Sequence, residues 1–163
     1  GNVIGGGDWS QDRIVPDAVR SLAGNQSIPV RSPCSTRPWQ HVLEPLSGYM
    51  TLAEQLFSNP SLAKAFNFGP DHSANRSVKE LVNEILLNWP GSWLDQSQSD
   101  INPVHEATRL DLATDRAFHQ LGWSPRWSFE VTTSETINWY RRFYSGDSAS
   151  SLCLEQIERY LES

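Results

Sequence analysis

The sequence predicts an α/β fold in which helices outweigh strands, and three observations predict it. Apolar residues recur at three- and four-residue spacing in four long segments, from Ile14, Leu46, Val78 and Val131. That period lines one face of a helix. Short apolar runs such as Val3-Ile4, Ile28-Pro29-Val30 and Ala65-Phe66-Asn67-Phe68 lie between them and read as strands. The alternation of strand and helix is too short for a complete doubly wound sheet, so the expected form is a helical lobe around short strands.

Gly1 to Gly5 reads as the end of a buried strand running into the turn Gly5-Gly6-Gly7. Glycines there allow positive φ and close approach of another group. Ile14, Val15, Ala18, Val19 and Leu22 share a helical face, with Pro16 in the first turn and Gly24 as the stop. Ile28 to Arg31 is a short strand, Pro33 to Pro38 a rigid irregular loop, and Gln40 to Leu43 a second short strand. Glu44-Pro45 opens a long helix whose buried stripe is expected at Leu46, Tyr49, Met50, Ala53, Leu56 and Phe57, with Asn59-Pro60 ending it. Ala65 to Gly69 is expected as a strand. Ser77 and Glu80 form a capping box, in which each side chain takes a free backbone amide of the other's residue. The helix behind it buries Val78, Leu81, Val82, Ile85, Leu86 and Trp89. Residues 90–103 are polar, with one short strand expected near Ile101. Asp111 caps a short helix ending at Leu121-Gly122. Ser128 caps a helix carrying Val131, Ile137, Trp139, Tyr140, Phe143 and Tyr144. Residues 145–151 read as a flexible linker, and Leu152 to Leu161 as a terminal amphipathic helix.

Composition narrows the function. At 163 residues the chain suits one domain or one large lobe of a domain. A net charge of -6 and a pI near 5.1 argue against a general nucleic-acid or membrane-surface binder, which would carry a basic patch. No apolar run is long enough to span a bilayer. Mean hydropathy of -0.48 suggests much surface or an exposed interface. Cys34 and Cys153 have no CxxC partner and read as free thiols of a cytosolic protein. The seven tryptophans mark both core and pocket, since indole buries area and stacks on flat ligands.

The triple glycine is not a GxGxxG fingerprint and reads as a substrate-facing turn or a plain tight turn. His41, His72, His105 and His119 are scattered and make no metal-ligand spacing, so each reads as structural or surface. Arginines say more. A guanidinium is a planar fork of donors that matches phosphate oxygens. Arg31 ends a strand, and Arg37 stands between Pro33 and Pro38 beside Trp39, where a stiff backbone lowers the cost of holding the fork. The alternative for each is a surface ion pair.

Six stretches, in order, resemble the C-terminal part of extended short-chain dehydrogenase/reductases of the NAD-dependent epimerase/dehydratase family. They are Gly1 to Trp9, Asp12 to Asp17, Arg37 to Pro45, Asn67-Phe68-Gly69-Pro70, His105-Glu106-Ala107, and Leu121-Gly122-Trp123 followed by Trp139-Tyr140. The forms of the first, third and fifth stretches are similar to the members that dehydrate CDP-glucose. The resemblance implies the substrate-binding lobe of an extended Rossmann enzyme: residues 1–9 as the end of a central strand and a substrate turn, 10–144 as the lobe, 145–163 as linker and last helix. It implies that Asn2 bonds the diphosphate or sugar, Arg13 and Ile14 line the nucleotide pocket, and Pro29 and Arg31 flank base and ribose. Arg37 would hold the diphosphate, and His105 and Glu106 would lie near ribose or phosphate. The family's GxxGxxG, Tyr-x-x-x-Lys pair and Thr/Ser-Asp-Glu set are not in the chain, and Tyr49 and Lys64 have the wrong spacing to replace the pair. No catalytic, cofactor-binding or metal-ligating residue is therefore assigned here. NAD would be held mainly by an upstream part, the parent would be a cytoplasmic homodimer serving deoxysugar synthesis for O-antigen, and the isolated chain would not turn over. A related nucleotide-sugar epimerase, or a non-catalytic nucleotide-binding lobe, stands as the alternative.

Overall fold

The computed structural model of the chain describes residues 2–97 and 112–163. Among these residues the strands and α-helices follow in order: β1 (Asn2–Ile4), α1 (Ile14–Ala23), β2 (Ile28–Val30), β3 (Thr36–His41), α2 (Leu43–Ser58), β4 (Asn75–Ser77), α3 (Val78–Asn88), β5 (Trp93–Asp95), α4 (Asp115–Leu121), α5 (Phe129–Tyr144) and α6 (Ala149–Glu162). Two small sheets carry the strands, in the orders β1-β3-β4 and β2-β5. β1 runs parallel to β3, with Asn2 opposite Trp39 and Ile4 opposite His41, and α1 lies in the crossover that parallel pairing requires. β2 and β5 are also parallel, and β4 is antiparallel to β3. The fold is the mixed α/β lobe that the sequence predicts.

The main core gathers Val15, Val19 and Leu22 of α1, Ile28 and Val30 of β2, Leu81, Val82 and Ile85 of α3, and Ile137, Trp139 and Tyr140 of α5. α5 packs against β3, α3 and α6 and is the central pillar. A second cluster of Leu62, Phe68, Ala117, Leu121 and Trp123 sits under α2 and α4. The caps form as expected. Ser77 and Glu80 make the capping box, and the Ser128 hydroxyl accepts from the Val131 amide. Gly122, at φ 66°, closes α4 in the left-handed region that glycine enters without a Cβ clash.

Several expectations are corrected. The loop read at Pro33 to Pro38 becomes strand from Thr36, because β4 pairs with residues 36–38. Pro38 is tolerated since, among the described residues, β1 reaches only as far back as Trp39 and asks nothing of its missing N–H. The expected strand at Ala65 to Gly69 is irregular, and the Phe68 carbonyl accepts from Gln40 Nε2 instead of a ladder. The α2 stripe faces the wrong way: Leu46, Tyr49, Met50, Ala53 and Phe57 are exposed, while Glu44, Pro45 and Gly48 are buried. Leu56 is half-buried against the second cluster. Val131, Phe143 and Tyr144 of α5 are also exposed. Residues 145–148 are a hydrogen-bonded turn rather than a loose linker, with the Asp147 amide donating to the Arg142 carbonyl and Arg142 Nε to the Asp147 carboxylate. The strand near Ile101 and the Asp111 cap lie outside the described residues. The strand found in that polar region is β5.

The chain end is fixed by a buried carboxylate. Glu44, in the first turn of α2, is 0% exposed. It accepts from the amides of Arg126 (3.0 Å) and Trp127 (2.8 Å) and from the Tyr160 hydroxyl (2.7 Å). Arg126 then donates to the Tyr160 carbonyl and stacks over its ring, closing the last turn of α6.

Candidate functional site

A cavity of about 700 Å³ opens where the end of β1, the start of α1, the end of β2 and the start of β3 converge. Asn2 enters it from the first residue of β1. Arg13, the N-cap of α1, and Ile14, its first residue, bring the positive end of the helix dipole to the wall. β2 alternates, with Ile28 and Val30 fully buried in the core and Pro29 left on the opposite face, toward the cavity. Arg31 follows directly after β2. Arg37 lines the wall two residues before Trp39, whose indole N–H donates to the Arg76 carbonyl. So Asn2, Arg13, Ile14, Pro29, Arg31 and Arg37 meet in one cavity. His105 and Glu106 lie outside the described residues.

The cationic walls carry their own counter-ions. Arg13 stands 3.6 Å from the Asp8 carboxylate, and Arg31 donates to Asp12 at 2.7 Å. Arg37 Nη1 donates to the Thr36 carbonyl at 2.8 Å. Asp8, Asp12 and Asp17 all line the cavity, and Asp17 is ion-paired to Arg20. Burial works against the charge of Asp8, but Ser10, Arg13 and Arg20 together hold its carboxyl below the usual range. Asp12 has φ of 60°, an uncommon conformation that turns the chain so its side chain meets Arg31. Such exposed pairs contribute little stability and are easily exchanged for another anion.

The triple-glycine turn is a packing device. A Cβ on Gly6 would lie 2.1 Å from the Trp139 ring, and Gly7 has φ of 85°. The Trp139 indole fills the space over Gly6, so this turn offers no cradle for a dinucleotide pyrophosphate. The Tyr140 hydroxyl donates to the Asp8 carbonyl at 2.7 Å and reaches that of Gly5 at 3.3 Å. Arg20 takes the carbonyls of Trp9 and Ser10. The cavity-lining Asp8, Asp12, Asp17, Ser32 and Ser97 were not assigned as site residues from sequence, nor was the support that Arg20 and Tyr140, outside the lining, give the turn. Asp8, five residues before Arg13 and ion-paired to it, offered the one local signal, whereas Asp12 pairs with the distant Arg31 and offered none.

Over its whole length the chain is 39% identical, across 166 residues, to part of the CDP-glucose 4,6-dehydratase of Salmonella typhimurium (strain LT2), and it spans 45% of that protein. Over 124 residues, 76% of the chain, it is 27% identical to UDP-glucose 4-epimerase 3 of Oryza sativa subsp. japonica, of which it covers 32%. The chain thus spans less than half the length of the curated relatives it matches. Among solved structures, UDP-glucuronic acid 4-epimerase from Bacillus cereus, in complex with NAD, superposes with a TM-score of 0.71 over 91% of this chain and 44% of that one, at 14% identity, a likeness of fold alone. No family model matches the chain. Among the described residues no helix is long and apolar enough to cross a membrane.

Proposed function

We propose, for a chain similar along its whole length to a CDP-glucose 4,6-dehydratase and over 76% of it to a UDP-glucose 4-epimerase, that the cavity binds the nucleoside diphosphate of a sugar nucleotide. In this reading the chain is the substrate-binding part of an NAD-dependent CDP-glucose 4,6-dehydratase, which converts CDP-glucose to the 4-keto-6-deoxy sugar and water. The observation that carries it is the convergence of Asn2, Arg13, Arg31 and Arg37 on one cavity beside the first turn of α1. Three guanidinium forks and a helix N-terminus suit a diphosphate, because charged hydrogen bonds to phosphate oxygens are strong and directional. A diphosphate exchanges places with Asp8 and Asp12 at the arginines, leaving Pro29 and Ile14 to pack on the base and ribose. His105 and Glu106 add contacts to ribose or phosphate. NAD belongs to the rest of a longer parent, a cytoplasmic homodimer in deoxysugar synthesis for O-antigen, and this chain alone does not turn over.

The second reading, a nucleotide-sugar epimerase, draws on the rice relative. Substrate trials on the full-length parent separate the two, since dehydration removes water whereas epimerisation conserves mass. Calorimetric titration with CDP, UDP and dTDP tests the cavity itself. The expected result is CDP-selective binding, weakened about a hundredfold in Arg37→Ala, as loss of a charged fork implies. Equal binding of all three nucleotides, or an unchanged affinity in Arg37→Ala, overturns the reading.

A further inference from the structure

We propose that Tyr140 is a positioning residue for this cavity: its hydroxyl fixes the glycine turn that carries Asp8, and so sets where Asp8 and its partner Arg13 stand on the rim. The inference rests on the reading of the cavity as a nucleotide site.

The turn has little order of its own. Three glycines in succession lose more backbone freedom on folding than any other residues would. Its fixed points come from two helices. From α5, the Tyr140 hydroxyl holds the Asp8 carbonyl and reaches that of Gly5. From α1, Arg20 holds the next two carbonyls, Trp9 and Ser10. Tyr140 is itself closely packed. It is fully buried, with Trp9 and Trp139 edge-on at 5.3 Å each. Burial also pushes its hydroxyl up to about 12, so it stays a donor throughout the neutral range. The line of action runs from Tyr140 to the Asp8 backbone. It continues through the Asp8 carboxylate, pinned by the Ser10 amide at 3.0 Å, to Arg13 at 3.6 Å. Asp8 and Arg13 line the cavity, and Tyr140 does not. A phenylalanine at 140 keeps the ring packing and removes only the tie.

The test is a double-mutant cycle on the full chain, read by calorimetric titration with CDP. Tyr140→Phe is expected to weaken CDP about tenfold, the scale of one well-made hydrogen bond acting through position. The loss should nearly vanish when Arg13 is already Ala, yet persist in full in Arg37→Lys, because Arg37 stands on β3 and not on the turn. Amide hydrogen exchange of the unliganded Tyr140→Phe chain should quicken at residues 6–10 and stay unchanged around Glu44. An unchanged CDP affinity overturns the proposal. So does an equal loss in the Arg13 and Arg37 backgrounds, which a general loosening would produce. If the wild-type chain binds no nucleotide, the cavity reading fails first and this one falls with it.

Discussion

Two of the carboxylates that stand beside helix starts in this protein, Glu44 and Asp12, are put to opposite uses. Glu44 enters the first turn of α2, is wholly buried, and meets two backbone amides and a tyrosine hydroxyl. Asp12 precedes α1, leaves 79% of its side chain in solvent, and pairs with an arginine that is itself 57% exposed. A buried carboxylate has no water to fall back on, so its donors must be built in and kept. An exposed one can give up its arginine to an incoming anion at little cost. The difference separates a structural tie from a site rim, although both are acid residues at helix starts.

Removal of the buried partner breaks the comparison most sharply. Glu44→Ala strands the amides of Arg126 and Trp127 and the Tyr160 hydroxyl inside the protein, and should cost about 3–5 kcal/mol. Urea unfolding measures it, and a loss under about 1 kcal/mol would show that the tie is not structural.

His41 extends the buried side of the comparison. It is 1% exposed, its ring centroid is 4.8 Å from that of Trp127, and its Nε2 finds no partner among the described residues. Burial pushes its imidazole down to about 4. Being neutral when folded, it contributes stability in full above the unfolded value near 6.5. That stability is lost as pH falls from there through about 4, because the unfolded chain takes up the proton first. The loss is on the order of 3 kcal/mol. Stability curves at neutral and acid pH should therefore steepen for the wild type and flatten for His41→Asn. Equal acid sensitivity in both would remove His41 from the account.

The smallest effect is expected at the rim. Asp12→Asn should change stability by no more than about 0.5 kcal/mol, since it trades one exposed ion pair for a polar contact. A loss of about 2 kcal/mol, seen in the same urea experiment, would mean that the rim is as rigid as the tie and would erase the distinction.

α2 teaches the limit of periodicity. Leu46, Tyr49, Met50 and Phe57 do share a helical face, yet that face is exposed. The opposite face goes inward because Gly48 lets the helix press on Phe68, where an added Cβ would lie 2.2 Å from the ring. Spacing identifies an apolar face but contains nothing about which surface will cover it. In α3 the capping box was readable because Ser77 and Glu80 lie within one turn, and the buried stripe at Leu81, Val82 and Ile85 follows its spacing, whereas Val78, Leu86 and Trp89, expected buried, are only half-buried.

The candidate site divides in the same way. Arginine chemistry and the prolines around Arg37 are local properties and single out Arg31 and Arg37 without coordinates, while Arg13 enters only through the family resemblance. The sequence by itself determined the long helices, the Ser77–Glu80 and Ser128 caps, the Gly122 stop and the identity of the cationic groups, because each depends on neighbours a few residues away. Only the tertiary structure decided that residues as far apart as Asn2, Arg37 and Ser97 enclose one cavity, that Thr36 to Pro38 is strand, and that Trp139 and Tyr140 hold the glycine turn. Those outcomes depend on ladder pairing and side-chain packing between segments distant in the chain, and such contacts leave no period or motif in the local sequence.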